Sequence, residues 1–321
     1  AYSEEMLLFL CLIAAGPLAA DAPSPVTALL FAPDGKTLVA ASQHGLATYS
    51  WPELKLLQRS KSPFSHLHDL AFSPDGMRLA IAGGEPQEKG GVEFVEWPGL
   101  KPVQRVEAGN DVVYSAAWSS DGKSLAMACA DKTVRLHDLA SGKAKEITDH
   151  SAAVLSVLYV SLADDTTRKE LLLSAGRDQT IRVFDAESAR PIRALDNHTA
   201  AVNDLALRPA KKGELPLVAS AGQEKKVRFW QPSNGRPVRF AKVPSPPLCV
   251  RWLPSGDYVA VACTDGIIRV IDWQTLQIVL EKKTSDGWLT SLAVSPSGTH
   301  AVVGDERGEL HAVSLDGIKR E

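Results

Sequence analysis

An all-β ring of seven similar antiparallel sheets is the fold this sequence predicts, and three observations predict it. A tight-turn motif recurs five times, beginning with Phe31-Ala32-Pro33-Asp34-Gly35. A strand motif of alternating apolar and polar residues recurs four times, beginning with Thr133-Val134-Arg135-Leu136-His137-Asp138. No window after residue 22 holds the sustained 3.6-residue apolar period of a helix. Where neighbouring turns survive, their glycines stand 41, 46 and 42 residues apart. A period of about 40–45 residues with four strands per unit is that of a β-propeller blade.

The turns place the units along the chain. The copies after the first are Phe72-Ser73-Pro74-Asp75-Gly76, Trp118-Ser119-Ser120-Asp121-Gly122, Leu253-Pro254-Ser255-Gly256 and Val294-Ser295-Pro296-Ser297-Gly298. Proline presets φ, aspartate bonds its own backbone, and glycine takes positive φ. The 134 residues from Gly122 to Gly256 hold about three such periods. Two diverged turns are therefore expected between them, as polar loops at 161–169 and 209–214. Seven blades result, starting near residues 25, 66, 111, 152, 200, 246 and 287. Each reads strand, turn, strand, short loop, strand, turn, strand. The strand motif returns at 180–185, 226–230 and 267–272, with the β-branched enrichment of strands. The seventh blade offers three strands, 288–294, 299–304 and 309–314, and the sequence stops where a fourth would begin. Trp51-Pro52-Glu53-Leu54-Lys55 and Trp97-Pro98-Gly99-Leu100-Lys101 are near-copies in blades 1 and 2, read as duplication of a blade.

Seven weak copies in one phase resemble WD40 repeats over nearly all of residues 23–321, and the chain is expected to resemble bacterial exported members of that family. The resemblance implies a polar network inside each blade, built from His, Ser or Thr, Asp and Trp. In blade 4 the matching residues are His150, Ser174 and Asp178, with Phe184 in place of Trp. In blade 5 they are His198, Ser220 and Trp230, with Glu224 in place of Asp. Blades 3 and 6 keep Asp131 and Asp265 without the His. The implied role is structural, since buried donors and acceptors need partners.

The resemblance also implies that one face of the ring binds partners through three positions per blade. Two flank the apolar residue early in the first strand: His66 and His68, Val112 and Tyr114, Ala153 and Leu155, Ala201 and Asn203, Pro246 and Leu248, Trp288 and Thr290. The third precedes the acid between the second and third strands: Gln43, Ala130, Arg177, Gln223, Thr264 and Glu306. Blade 2 carries the insertion Gly84-Glu85-Pro86-Gln87-Glu88-Lys89-Gly90 at that edge. The candidate partner-binding residues are His66, His68, Tyr114, Leu155, Arg177, Asn203, Gln223, Leu248, Trp288 and Glu306. Aromatics, aliphatics and one Arg with few other charges are the composition of a protein-binding hot spot. Ala153 and Ala201 are read as channel filling.

Composition limits the chemistry. In 321 residues, 45% are apolar and 23% charged, which is globular composition. A net charge of −3 leaves no broad basic footprint for nucleic acid. Four cysteines are too few for a disulfide scaffold. There is no His-Glu-x-x-His, Cys-x-x-Cys or Gly-rich phosphate loop, so no catalytic residue, metal or cofactor is expected. His66 and His68 alternate on one strand and so share a face. With His44 or Asp69 they are the nearest approach to a metal site, outweighed by a polar surface pair. Arg135, Arg182, Arg228 and Arg269 recur at one position, either a basic arc for an anion or, preferred, four local ion pairs. Cys249 and Cys263 flank one hairpin, either a disulfide or, preferred, two buried thiols.

Residues 6–20, MLLFLCLIAAGPLAA, fit the apolar part of a secretory signal within a leader of residues 1–22. Export to the periplasm or outside follows if the segment is cleaved, with no stable membrane insertion afterwards; otherwise the protein is cytoplasmic. Alternatively, residues 7–15 supply the strand that closes blade 7 and removes an open sheet edge. The expected function is a non-catalytic scaffold for an unidentified protein or peptide. A metal-dependent propeller hydrolase and a structural domain of a larger assembly are the alternatives.

Overall fold

A computed structural model describes residues 24–164, 167–209 and 213–318. They form seven antiparallel sheets and no helix. The inner strands are Ala28–Phe31, His66–Phe72, Val113–Trp118, Val154–Asp164, Val202–Leu207, Pro247–Trp252 and Leu289–Val294, each packed against the next around a central channel. Six sheets have four strands in sequence order, ending in the outer strands Leu56–Ser60, Lys101–Glu107, Ala144–Ile147, Pro191–Leu195, Arg236–Lys242 and Ile278–Lys283. Among the described residues blade 7 has three, its last being Leu310–Ser314. The proposed leader and the proposed closing strand both lie outside the described residues.

Burial peaks in the second strands and falls toward the rim, and the sequence shows why. Second strands such as Leu79-Ala80-Ile81-Ala82 and Val259-Ala260-Val261-Ala262 are apolar at every step and completely buried, because both faces press on neighbouring blades. Outer strands such as Arg236–Lys242 carry charged residues among their apolar ones and are almost wholly exposed. The hydrophobic core is therefore a set of layers between blades; Phe94 of blade 2, for instance, packs edge-on against Trp118 of blade 3.

The five repeated turns have the geometry their residues dictate. Gly35, Gly76, Gly122, Gly256 and Gly298 have φ between +66° and +71°. Each turn also leans on a neighbour. A Cβ on Gly76 would lie 3.0 Å from Pro33 of blade 1, and one on Gly35 would lie 3.5 Å from Pro296 of blade 7. Blade 7 thus meets blade 1 through the contact that joins blades 1 and 2. Val26 N–H donates to Asp305 O at 3.1 Å, and Thr290 Oγ1 donates to Val26 O at 2.8 Å. The ring is closed by packing and hydrogen bonds.

One expected loop is a correction. Residues 161–169 are not a polar loop: Val154–Asp164 and Thr167–Gly176 form one long hairpin in which Ser161 pairs Glu170 and Asp164 pairs Thr167. Polar residues here continue the ladder past the core. The insertion in blade 2 likewise extends a hairpin, with Gly84 opposite Gly90. Glycine is needed there, because a Cβ on Gly90 would collide with the Asp111 carbonyl of blade 3.

Candidate functional site at the channel mouth

The inner strands share a defect that builds the site. In blades 2 to 7 the ladder between first and second strands skips one residue. The residues skipped are His68, Tyr114, Leu155, Asn203, Leu248 and Thr290. Such a β-bulge leaves a residue out of the pairing and re-aims its side chain. All six line one cavity of about 410 Å³ in the channel, joined from blade 1 by Thr27. His68 and Tyr114 meet edge to face at 5.1 Å between centroids. Burial, helped by His66, pushes the His68 pKa down to about 4, so this corner is uncharged at neutral pH.

The bulge also breaks the alternation expected of His66 and His68. His66 does not line the cavity; its Nδ1 lies 3.0 Å from Ser65 Oγ. Among the described residues, these histidines form no three-ligand cluster with His44 or Asp69. Among the described residues, the cluster that does converge is Asp305, Glu309 and His311, where the Asp305 and His311 side chains bond at 3.1 Å.

The third position of each blade sits directly behind the first. Backbone N–H groups of Ala130, Arg177, Gln223, Thr264 and Glu306 donate to the carbonyls of Val112, Ala153, Ala201, Pro246 and Trp288 at 2.8–3.0 Å. Arg177, Gln223, Trp288 and Glu306 are all partly exposed and lie outside the cavity lining. The candidate set is thus divided between the channel (His68, Tyr114, Leu155, Asn203, Leu248) and the hairpin ends behind it (His66, Arg177, Gln223, Trp288, Glu306).

Directly after each bulge stands a small or polar residue whose role between blades the sequence did not suggest, although Asp69 and Cys249 were singled out for other chemistry. Asp69 Oδ2 accepts the Ala116 N–H at 3.0 Å, Ser156 Oγ accepts that of Leu205 at 3.2 Å, and Asp204 Oδ2 accepts that of Val250 at 2.9 Å. Ser115 Oγ bonds the Val157 N–H at 3.4 Å, and the Cys249 thiol donates to Thr290 O at 3.3 Å. These side chains staple the inner strands of blades 2 to 7 in succession; in blade 7 the equivalent Ser291 Oγ is buried with no hydrogen-bond partner. The available signal was a polar or small residue in the same phase within six apolar strands. Arg251 Nη1 adds a 2.5 Å ion pair to Asp204. Burial pushes the Asp69 carboxyl upward against the N–H groups it accepts.

The blade networks have the geometry that the resemblance implied. His150 Nδ1 lies 2.9 Å from Asp178 and its Nε2 lies 2.7 Å from Ser174 Oγ. In blade 5, His198 lies 2.8 Å from Glu224 and 2.7 Å from Ser220, which also accepts the Trp230 Nε1–H at 2.8 Å. A carboxylate only accepts, so Nδ1 carries a proton in both rings. Burial is the largest single influence on Asp178 and Glu224 and raises both, but the hydrogen bond and charge of each histidine, together with hydrogen bonds from Thr180 and Ser151 to Asp178 and from Arg228 to Glu224, hold both below the ordinary range. Ser, His and acid here lie in the order of a hydrolytic triad. Yet Ser174 and Ser220 are completely buried, so no substrate reaches them in this state. Asp131 and Asp265 instead hold Arg135 at 2.6 Å and Arg269 at 2.7 Å, and Arg228 meets Glu224 at 3.2 Å. These three arginines pair locally, whereas the Nε of Arg182, the fourth, is buried without a hydrogen-bond partner. Blade 7 rebuilds the network around Asp305, bonded by Ser285 at 2.7 Å and His311 at 3.1 Å. Cys249 and Cys263 are both free thiols, their pKa values pushed up to about 12 by burial.

A family model described as WD domain, G-beta repeat matches residues 100–138, 142–185, 189–231 and 239–272. Pre-mRNA-processing factor 19 of Bos taurus is 27% identical over 158 residues, covering 48% of this chain and 30% of that protein. Protein MAK11 of Saccharomyces cerevisiae is 25% identical over 200 residues, covering 56% of this chain and 47% of that one. The p21-activated protein kinase-interacting protein 1-like of Danio rerio is 26% identical over 147 residues, covering 46% and 37%. The chain spans less than half the length of these relatives. All three are eukaryotic and lend no support to a likeness with bacterial exported proteins. Each family match runs from the outer strand of one blade, or the turn before it, through the third strand of the next, so a repeat interlocks two blades. The chain is a seven-bladed β-propeller carrying WD40 repeats.

Proposed function

We propose that this protein is a non-catalytic scaffold that binds a protein or peptide across the mouth of its channel. The observation that carries this reading is the bulge repeated in six blades, which turns side chains of unlike chemistry toward one cavity. A core gains nothing from such variety; a recognition surface does. His68 and Tyr114 offer an uncharged aromatic corner, Leu155 and Leu248 offer apolar contact, and Asn203 keeps a buried Oδ1 with no hydrogen-bond partner. That oxygen suits a donor from a partner's backbone, since a buried acceptor left unpaired costs about 1–3 kcal/mol. The inner strands beneath are stapled blade to blade, so the mouth is organised before binding and little ordering cost is added. The name of the Danio rerio relative describes an interacting protein, which agrees with this role.

The test uses peptides selected from a random display library on the full chain. Tyr114→Ala and Trp288→Ala are each expected to weaken the selected peptides by about 1–4 kcal/mol, the cost of truncating an aromatic hot spot. Melting temperatures should stay close to that of the unaltered protein. Normal binding by both variants would reject the channel mouth as the docking face.

A further inference from the structure

The rim between blades 4 and 5 carries a second feature, independent of the channel. Residues 190–242 hold eleven Lys and Arg against four Asp and Glu, a net +7 in a chain of net −3. The fold gathers several of these around one exposed aromatic. Phe240 lies on the outer strand of blade 5 opposite Arg228, and Lys242 lies opposite Lys226. Val227 and Phe229 face blade 6 while Trp230 faces blade 4, so Lys226, Arg228 and Phe240 face blade 4. Phe240 is 42% exposed, with the Lys226 ammonium 5.3 Å and the Arg228 guanidinium 5.4 Å from its ring centre. Across the groove, Arg193 of blade 4 reaches toward Gly235, where an added Cβ would lie 2.7 Å from its Nη1. Arg193 Nε is buried and has no hydrogen-bond partner. Glu224 shares one oxygen between Arg228 and His198, and Asp196 stands exposed beyond Leu195.

We infer that this groove docks an acidic segment in extended conformation from a partner protein. Charge complementarity selects the acid: Arg193, Lys226 and Lys242 would meet its carboxylates. The outer strand selects the conformation, because the edge of a sheet offers unpaired backbone groups that an added strand can use. Val238 and Phe240, both exposed on that strand, select alternate apolar side chains. A nucleic acid fits less well, since single strands bind by stacking bases on open aromatic faces. The Phe240 ring is already attended by two cations.

The experiment measures fluorescence anisotropy with the full chain and a labelled peptide of alternating Glu and Val. Controls are the same peptide with Gln for Glu and a single-stranded oligonucleotide. The acidic peptide should bind and should weaken as ionic strength rises. The Gln peptide and the double variant Arg193→Glu/Lys226→Glu should each lose about ten-fold or more in affinity. Circular dichroism of the double variant should match the parent, because both sites reach solvent. Tyr114→Ala and Trp288→Ala should leave this binding unchanged, which separates it from the channel mouth. No binding of the acidic peptide, binding indifferent to charge reversal, or tighter binding of the oligonucleotide would overturn the inference.

Discussion

Blades 4 and 5 differ by one indole, and that difference sets a measurable gap in stability. Ser174 and Ser220 are both completely buried and both bond a histidine Nε2 at 2.7 Å. Ser220 also accepts the Trp230 indole N–H at 2.8 Å, whereas blade 4 has Phe184 and no such donor. Ser174→Ala therefore orphans one buried group, the His150 Nε2. Ser220→Ala orphans two, the His198 Nε2 and the Trp230 Nε1. Each buried polar group left unpaired costs about 1–3 kcal/mol. Ser174→Ala should thus destabilise by about 1–3 kcal/mol and Ser220→Ala by about 2–6. Urea unfolding followed by circular dichroism gives both values against the parent protein. Adding Trp230→Phe to Ser220→Ala should recover part of the loss, because the second orphan disappears. Equal costs for the two serines, or no recovery in the double variant, would refute the assignment of these networks as satisfied buried chains.

Three further outcomes are expected. Gly76→Ala places a Cβ at φ +71° and 3.0 Å from Pro33, and should cost about 1–2 kcal/mol by thermal unfolding. Gly99→Ala, at ordinary φ with nothing within 4 Å, should stay within about 0.5 kcal/mol of the parent. Asp178 and Glu224 are held below their ordinary values of 3.8 and 4.5, so their contribution is present above those values and lost as pH falls through the folded-state values. The melting temperature should be level above about pH 6.5, begin to fall below it as His68 protonates in the unfolded chain, and fall further in the acid range of the two carboxylates, where Asp178→Asn should make the limb shallower while lowering the plateau. Arg269, 2% exposed and bonded to Asp265 and Glu281, should cost about 3–5 kcal/mol on change to Ala, measured by urea unfolding.

Much of the fold was legible because glycine and proline carry local geometry in their own chemistry. Gly35, Gly76, Gly122, Gly256 and Gly298 all sit at the positive φ that the turn motif requires, and they fixed the number and phase of blades. The networks around His150 and His198 were legible through the resemblance to WD40 repeats, which implied a His, Ser and acid chain at these positions. The bulges were not. A ladder that skips Leu155 or Asn203 leaves no mark in an alternating pattern, so His66 and His68 were expected on one face and are divided by the defect. The long hairpin of blade 4 was missed for a related reason. Polar residues such as Ser161, Lys169 and Glu170 read as loop while the backbone still pairs. Asp305 was missed because the acid of blade 7 stands two positions earlier than in blades 3 to 6 and is reached by Ser285 in place of histidine.

The docking face is tested most directly by hydroxyl-radical footprinting with mass spectrometry. The probe is a peptide selected on the full chain from a library lacking Asp and Glu, so that it does not draw on the basic rim. Bound peptide should protect His68, Tyr114 and Trp288, and leave Phe240 on the rim and Met77 on the exposed bottom turn as reactive as in the free protein. Protection confined to the rim or to the turns around Met77, with Tyr114 and Trp288 unchanged, would contradict docking at the channel mouth.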